Sequence, residues 1–120
     1  MSKRLIEIGK RGEKLAGDFL RRKGMKIIRR NYRFDRGEID IICMDKETLV
    51  FAEVKTRTNR QYGTPIEAVS EKKAAQIRKV AEGFLMEESN GLEFQEIRFD
   101  IVGILLEGNE EIIEHIENAF

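Results

Sequence analysis

Apolar residues recur at helical spacing from about Ile6 to Lys23: Ile8, Leu15, Ala16, Phe19 and Leu20 fall on one face. Lys10, Arg11, Lys14, Arg21 and Arg22 lie mostly off that face, and Gly24 is a natural stop. The period then changes to two. Residues 25–32 predict a first strand, and Phe34-Asp35-Arg36-Gly37 a turn. Residues 38–44 and 48–55 are short, β-branched and apolar, with Asp45-Lys46-Glu47 between them, which predicts a hairpin. Residues 58–63 form a polar loop. Thr64-Pro65-Ile66-Glu67 has capping-box spacing with proline at the first helical position, and Ser70 is a second possible cap. The helix that follows runs to about Glu87, with Ala74, Ile77, Ala81, Phe84 and Leu85 on its buried stripe. Residues 98–106 are a strong strand, Gly108-Asn109 a turn, and 112–116 a last, shorter strand. The order is α-β-β-β-α-β-β. It predicts an α/β fold of the mixed α+β kind, one central sheet flanked by helices, in a single domain over residues 1–120.

Composition adds exclusions. No stretch approaches the ~20 apolar residues that a bilayer span needs, so no membrane partner is expected. The N-terminus has no apolar signal-peptide core, which gives a cytoplasmic expectation. Cys43 is the only cysteine, so no intramolecular disulfide can form; it is expected in the core, and His115 is expected to be structural. The glycines around Lys10 lack P-loop spacing and no dinucleotide fingerprint is present, so no nucleotide cofactor is expected.

The net charge of zero hides a polarity. Residues 1–36 carry 13 Lys/Arg against 4 Asp/Glu, whereas residues 87–120 carry 1 against 10. A basic end fits a polyanion such as nucleic acid, because phosphate contacts need local rather than global charge. The competing explanation is that the two ends pair with each other across the fold.

The candidate chemistry lies on the hairpin. Alternation puts Glu38 and Asp40 on one face of the first strand, and Ile39, Ile41 and Cys43 on the other. Glu53 and Lys55 share a face with Phe51 on the second. A turn centred on Lys46-Glu47 sets Asp40 opposite Glu53, and Glu38 opposite Lys55. Cross-strand Cβ atoms are roughly 4.5–5.5 Å apart. Two carboxylates so close repel each other but suit a hard cation, Mg²⁺ or Mn²⁺. Lys55 is placed to position or deprotonate an attacking water, or to stabilise a pentavalent phosphate. A register one residue off would separate Asp40 from Glu53. A surface ion-pair ladder of Asp40 and Glu53 with Lys55 and Arg57 is the alternative.

Asp40, twelve intervening residues and Glu53-Val54-Lys55 resemble the D…(D/E)-x-K signature of the PD-(D/E)XK nuclease superfamily, although position 39 is Ile and no proline precedes Asp40. The segments NYRFDRGEIDII, LVFAEVKTR, YGTPIEAVSEKK, RFDIVGI and IENAF resemble the YraN family over nearly the whole chain. That family is a bacterial group of predicted nucleases, similar in fold to archaeal Holliday junction resolvases. The resemblance implies a restriction-endonuclease-like core and a metal-dependent DNA endonuclease that hydrolyses phosphodiester bonds in branched DNA. Asp40 and Glu53 would be metal ligands and Lys55 the catalytic lysine. Glu13 resembles the helix acid that approaches the metal, and Glu38 an additional ligand or its support. Arg57 and Lys73 would hold phosphate, with Lys10, Arg33 and Arg36 along the basic surface. Branched DNA implies two sites, hence a homodimer. The alternatives are a catalytically silent nucleic-acid-binding module of the same fold, and a hydrolase of RNA or of a small phosphate ester.

Overall fold

The computed structural model describes residues 2–59 and 64–120. The loop expected over 58–63 therefore lies mostly outside the described residues. Helix α1 spans Lys3–Arg22, strands β1 Lys26–Phe34, β2 Gly37–Asp45 and β3 Thr48–Arg57, helix α2 Glu71–Glu87, and strands β4 Glu96–Glu107 and β5 Glu110–Ile116. The element order is the expected one, in a mixed α+β fold with one mixed sheet.

The strands lie in the order β1-β2-β3-β4-β5. Every pair is antiparallel except β3 and β4, which α2 joins as a crossover. The β2–β3 register pairs Ile41 with Ala52 and Ile42 with Phe51. Continued by one residue, it sets Asp40 opposite Glu53, as the alternation predicts.

The two helices cover opposite faces. Under α1, Ala16 and Leu20 pack on Ile41, Cys43, Val50, Ala52, Val102 and Ile104. Under α2, Ile77, Val80, Ala81 and Phe84 pack on Tyr32, Ile39, Ile42, Leu49 and Phe51. Val80 joins the α2 stripe, while Ala74 and Leu85 are only half-buried. A fully buried side chain of this size contributes roughly 1.5–3 kcal/mol, and both layers are built of such residues.

Close approach fixes α1 on the sheet. A Cβ at Gly12 would stand 1.9 Å from Thr56 Oγ1, so only glycine lets the helix lie this near β3. Ser2 Oγ caps α1 by accepting from Leu5 N–H at 3.2 Å, and Arg21 and Arg22 occupy its last turn, where the helix dipole favours cations.

Two expectations need correction. Helix α2 does not begin at Thr64. Thr64 N–H donates to Glu67 Oε2 at 3.3 Å, half of a capping box, but it opens only a short 3₁₀ turn over Ile66–Ala68. Val69 is extended, and Ser70 caps α2 through Lys73 N–H at 3.1 Å. Pro65 is instead a packing residue: a Cβ at Gly103 would meet its ring at 2.2 Å.

Ile39 does not share a face with Ile41 and Cys43. It is buried under α2, and they are buried under α1. The cause lies on the neighbouring strand. The β1–β2 ladder pairs Arg30 with Ile41 and Tyr32 with Ile39, but the intervening pair, Asn31 with Asp40, is missing. Asn31 has φ 50, in the left-handed region. Both strands change faces there. Arg30 lies against Gly17 of α1, whereas Tyr32 lies under α2. Strict alternation fails at this irregularity, and it is next to Asp40.

Candidate metal centre

Carboxylates from three elements meet at the irregularity. The ligand oxygens of Glu13 on α1 and of Glu38 and Asp40 on β2 all lie within 4.8 Å of one another. Glu53 of β3 stands next to Asp40 and acts on its carboxyl. Each arrives for a local reason. Gly12 lets α1 approach, so its neighbour Glu13 is held at the sheet. The face change at Asn31 and Asp40 turns Glu38 toward α1. The β2–β3 register supplies Glu53.

The electrostatics are those of crowded acid. Glu53 is 7% exposed. The Asp40 carboxyl is pushed up to about 9, first by burial, then by the hydrogen bond and charge of Glu53, with Glu13 adding to the effect. Val54 N–H donates to Asp40 Oδ2 at 2.8 Å and pulls the other way. The metal-free cluster therefore keeps a proton that a cation would replace.

This shift makes stability depend on pH. Its folded value is above its unfolded one, so the contribution is full below about pH 4 and is lost as pH rises toward 9. Asp40→Asn keeps the acceptor for Val54 N–H without the charge. In urea denaturation with EDTA, the variant should be more stable than the parent at pH 8.5 by on the order of 1–3 kcal/mol, and much closer to it at pH 5. An equal difference at both pH values would contradict this account of the cluster.

Lys55 lies two residues beyond Glu53 on the same face of β3, half-buried. It forms no ion pair among the described residues. Glu53 pairs instead with Lys73 of α2, whose Nζ is 3.5 Å from Glu53 Oε2. The Lys55 rungs of the alternative ion-pair ladder are thus absent among the described residues, and Lys73 reaches the acid cluster itself.

A model of the uncharacterised protein family UPF0102 matches residues 12–104, a span that holds Glu13, Glu38, Asp40, Glu53 and Lys55. The chain belongs to this family. It is 44% identical over 114 residues to a UPF0102 protein of Syntrophomonas wolfei, covering 95% of this chain and 97% of that one. A UPF0102 protein of Dictyoglomus turgidum is 44% identical over 116 residues, with the same coverage. One from Prosthecochloris aestuarii is 45% identical over 120 residues, covering 95% and 93%.

The remaining expected site residues of this UPF0102 chain surround the cluster unevenly. Lys10 is exposed on α1, three residues before Glu13 and so on a neighbouring part of the helix face. Arg33 Nε donates to Glu38 Oε2 at 2.9 Å, which ties it to a carboxylate of the cluster. Arg36 is exposed at the β1–β2 turn, where its carbonyl accepts from Gln76 Nε2 at 3.3 Å. Arg57, two residues past Lys55, lines a groove with Thr64, Pro65, Gly103 and Leu105.

The charge polarity has two outcomes. Arg11 pairs with Glu111, Lys23 with Glu117 at 3.9 Å and Arg29 with Glu88 at 2.5 Å, so the basic and acidic ends do meet. Such exposed pairs contribute little to stability. Lys10 and Arg36 form no ion pair among the described residues.

Away from the cluster, Cys43 is buried in the α1 layer and its thiol is pushed up to about 12 by burial. His115 is structural, as expected: its Nε2 is 2.8 Å from Asp100 Oδ2. Its Nδ1 is 2.7 Å from Lys23 Nζ, which can only donate, so the proton belongs on Nε2. The sequence reading did not single out Asn31. Its side-chain amide contacts two of the cluster's acids, and the available signal was an asparagine inside a strand of β-formers.

Proposed function

We propose that the chain is a metal-dependent endonuclease that hydrolyses phosphodiester bonds in DNA, branched DNA in particular. This follows the resemblance of UPF0102 chains such as this one to the YraN group and the PD-(D/E)XK superfamily. The observation that carries it is the convergence of Glu13, Glu38 and Asp40, with Glu53 next to Asp40 and helping burial to push the Asp40 carboxyl up. A binding module that meets only phosphate has no use for clustered acids, which repel DNA.

The donor set fits a hard cation, since every ligand atom is a carboxylate oxygen. Glu13, Glu38, Asp40 and Glu53 would hold Mg²⁺ or Mn²⁺, and Val54 N–H orients the Asp40 carboxylate. When bound, such an ion supplies Lewis acidity toward a phosphoryl oxygen and lowers the pKa of a coordinated water.

The chain's own residues do the rest. Lys55 has its ammonium free of acid partners among the described residues. It would hold the scissile phosphate oxygen or orient the attacking water. Lys10, Arg33, Arg36 and Arg57 would follow the phosphate backbone, which positions DNA without reading its sequence. Lys73 would add a phosphate contact beside Glu53. A four-way junction offers two symmetric strands, so its resolution calls for two copies of the chain.

Incubation of a synthetic four-way junction, a linear duplex and a single strand with Mg²⁺, Mn²⁺ or EDTA tests the proposal. Cleavage is expected with either metal and not in EDTA, with the junction cut fastest. Preference for the linear duplex would leave the nuclease and remove the branched substrate. Salt-sensitive binding with no cleavage of any substrate would favour the silent binding module and overturn the proposal.

A further inference from the structure

We infer that Asn31 is the positioning residue of the acid cluster, its side-chain amide clamping Glu13 of α1 to Glu38 of β2. The inference rests on the metal-centre reading proposed above. The amide Nδ2 donates to Glu13 Oε1 at 2.9 Å and to Glu38 Oε1 at 3.2 Å. The two hydrogens of one NH₂ group are thus spent on two carboxylates from different elements, which repulsion would otherwise drive apart.

Few side chains can do this. An ammonium would hold the acids together but would occupy the position of the cation. A carboxylate would add repulsion. A neutral amide with two donors holds both acids and leaves their negative charge for the metal. The same residue makes the backbone irregularity. With φ 50, Asn31 adopts a conformation that asparagine tolerates far better than the β-branched residues usual in strands. There β1 changes faces, and the missing rung opposite it is Asp40. One residue therefore both opens the ladder beside Asp40 and ties together the other two acids. Asn31 touches no substrate in this role; it acts through Glu13 and Glu38, as outer partners of metal ligands do.

Two substitutions separate the amide from the backbone. Asn31→Gly keeps the left-handed conformation and removes the amide, whereas Asn31→Ala removes both. Mn²⁺ affinity of the full-length chain is measured by calorimetry, and folding by thermal melting in EDTA. Both variants should bind Mn²⁺ about 10–100-fold more weakly than the parent. Only Asn31→Ala should also melt markedly lower. Combining Asn31→Gly with Glu38→Ala should give less than the product of the two single losses, because removal of the Glu38 carboxylate has already taken one acceptor from the clamp. Parental Mn²⁺ affinity in Asn31→Gly would overturn the inference and leave the metal centre standing. An unsubstituted chain that binds no Mn²⁺ would overturn both.

Discussion

Asp100→Ala should destabilise the protein by about 3 kcal/mol, near the lower end of the cost of breaking a buried ion pair. Asp100 is wholly buried in β4 and accepts four hydrogen bonds. Arg98 Nε and Nη2 donate at 2.9 and 3.0 Å, His115 Nε2 at 2.8 Å, and Asn118 N–H at 3.0 Å. Burial alone would push this carboxyl up. The bonds from His115, Arg98 and Asn118 outweigh burial and hold it below the ordinary value. Alanine would strand Arg98 and His115 without this acceptor. The loss is not larger because Arg98 keeps Asp45 at 3.1 Å.

The loss should also be local in character. Asn118 turns the chain at φ 54, Ala119 N–H donates to Phe99 carbonyl at 2.7 Å, and the Phe120 ring lies on Phe99 with centroids 5.4 Å apart. Asp100 anchors that C-terminal segment. Urea denaturation at pH 7 should give the destabilisation, and amide exchange at 118–119 should accelerate in the variant. The sign with pH is opposite to that of Asp40. Because the Asp100 value is lowered, its stabilisation is present above the ordinary carboxylate range and is lost as pH falls through the folded value. The gap between parent and Asp100→Ala should therefore close in acid. A variant of parental stability at pH 7 would refute this account of the network.

Lys55→Ala should lower metal-dependent DNA cleavage by about 10²–10⁴-fold, the range for removal of a proton-transfer group or of a donor aimed at developing charge. Lys55 sits beside the acid cluster without being consumed by it, since Glu53 takes Lys73 as its partner. Its removal should leave folding and Mn²⁺ binding near parental, and should leave DNA affinity in Ca²⁺ within a few-fold. Lys55→Arg should not restore full activity, because a guanidinium keeps charge but does not give up a proton. Cleavage unchanged in Lys55→Ala would assign Lys55 to the surface and remove the catalytic lysine from the proposal.

Much of this arrangement could be read along the chain, and the reasons are specific. Hairpin register was legible because Ile41, Ile42, Val50, Phe51 and Ala52 are all buried, and a slip by one residue would turn the hairpin inside out. Asp40 opposite Glu53 follows directly. Glu13 was not legible from the helix pattern. It shares a polar stretch with Lys10 and Lys14, and only the contact of Gly12 with Thr56 brings it to the sheet. The reversal of Ile39 was invisible to a period-two rule, since its cause is a left-handed Asn31 on the neighbouring strand. Lys73 pairs with Glu53 through the packing of α2, which no local pattern encodes. Of the two caps the pattern offered for α2, Ser70 is the one used; Thr64-Pro65-Ile66-Glu67 has the form of a helix start, but with Pro65 packed on Gly103 it gives only one short turn.

That Glu13, Glu38, Asp40 and Glu53 together make a divalent-cation centre is tested most directly by Mn²⁺ paramagnetic resonance, in which free Mn²⁺ gives a six-line signal and bound Mn²⁺ does not. The full-length chain, titrated into Mn²⁺ at pH 8, should remove the free signal in a stoichiometric manner. Asp40→Asn, folded and more stable than the parent without metal at this pH, should leave the signal almost intact. Equal loss of signal with both proteins, or with neither, would contradict the metal centre.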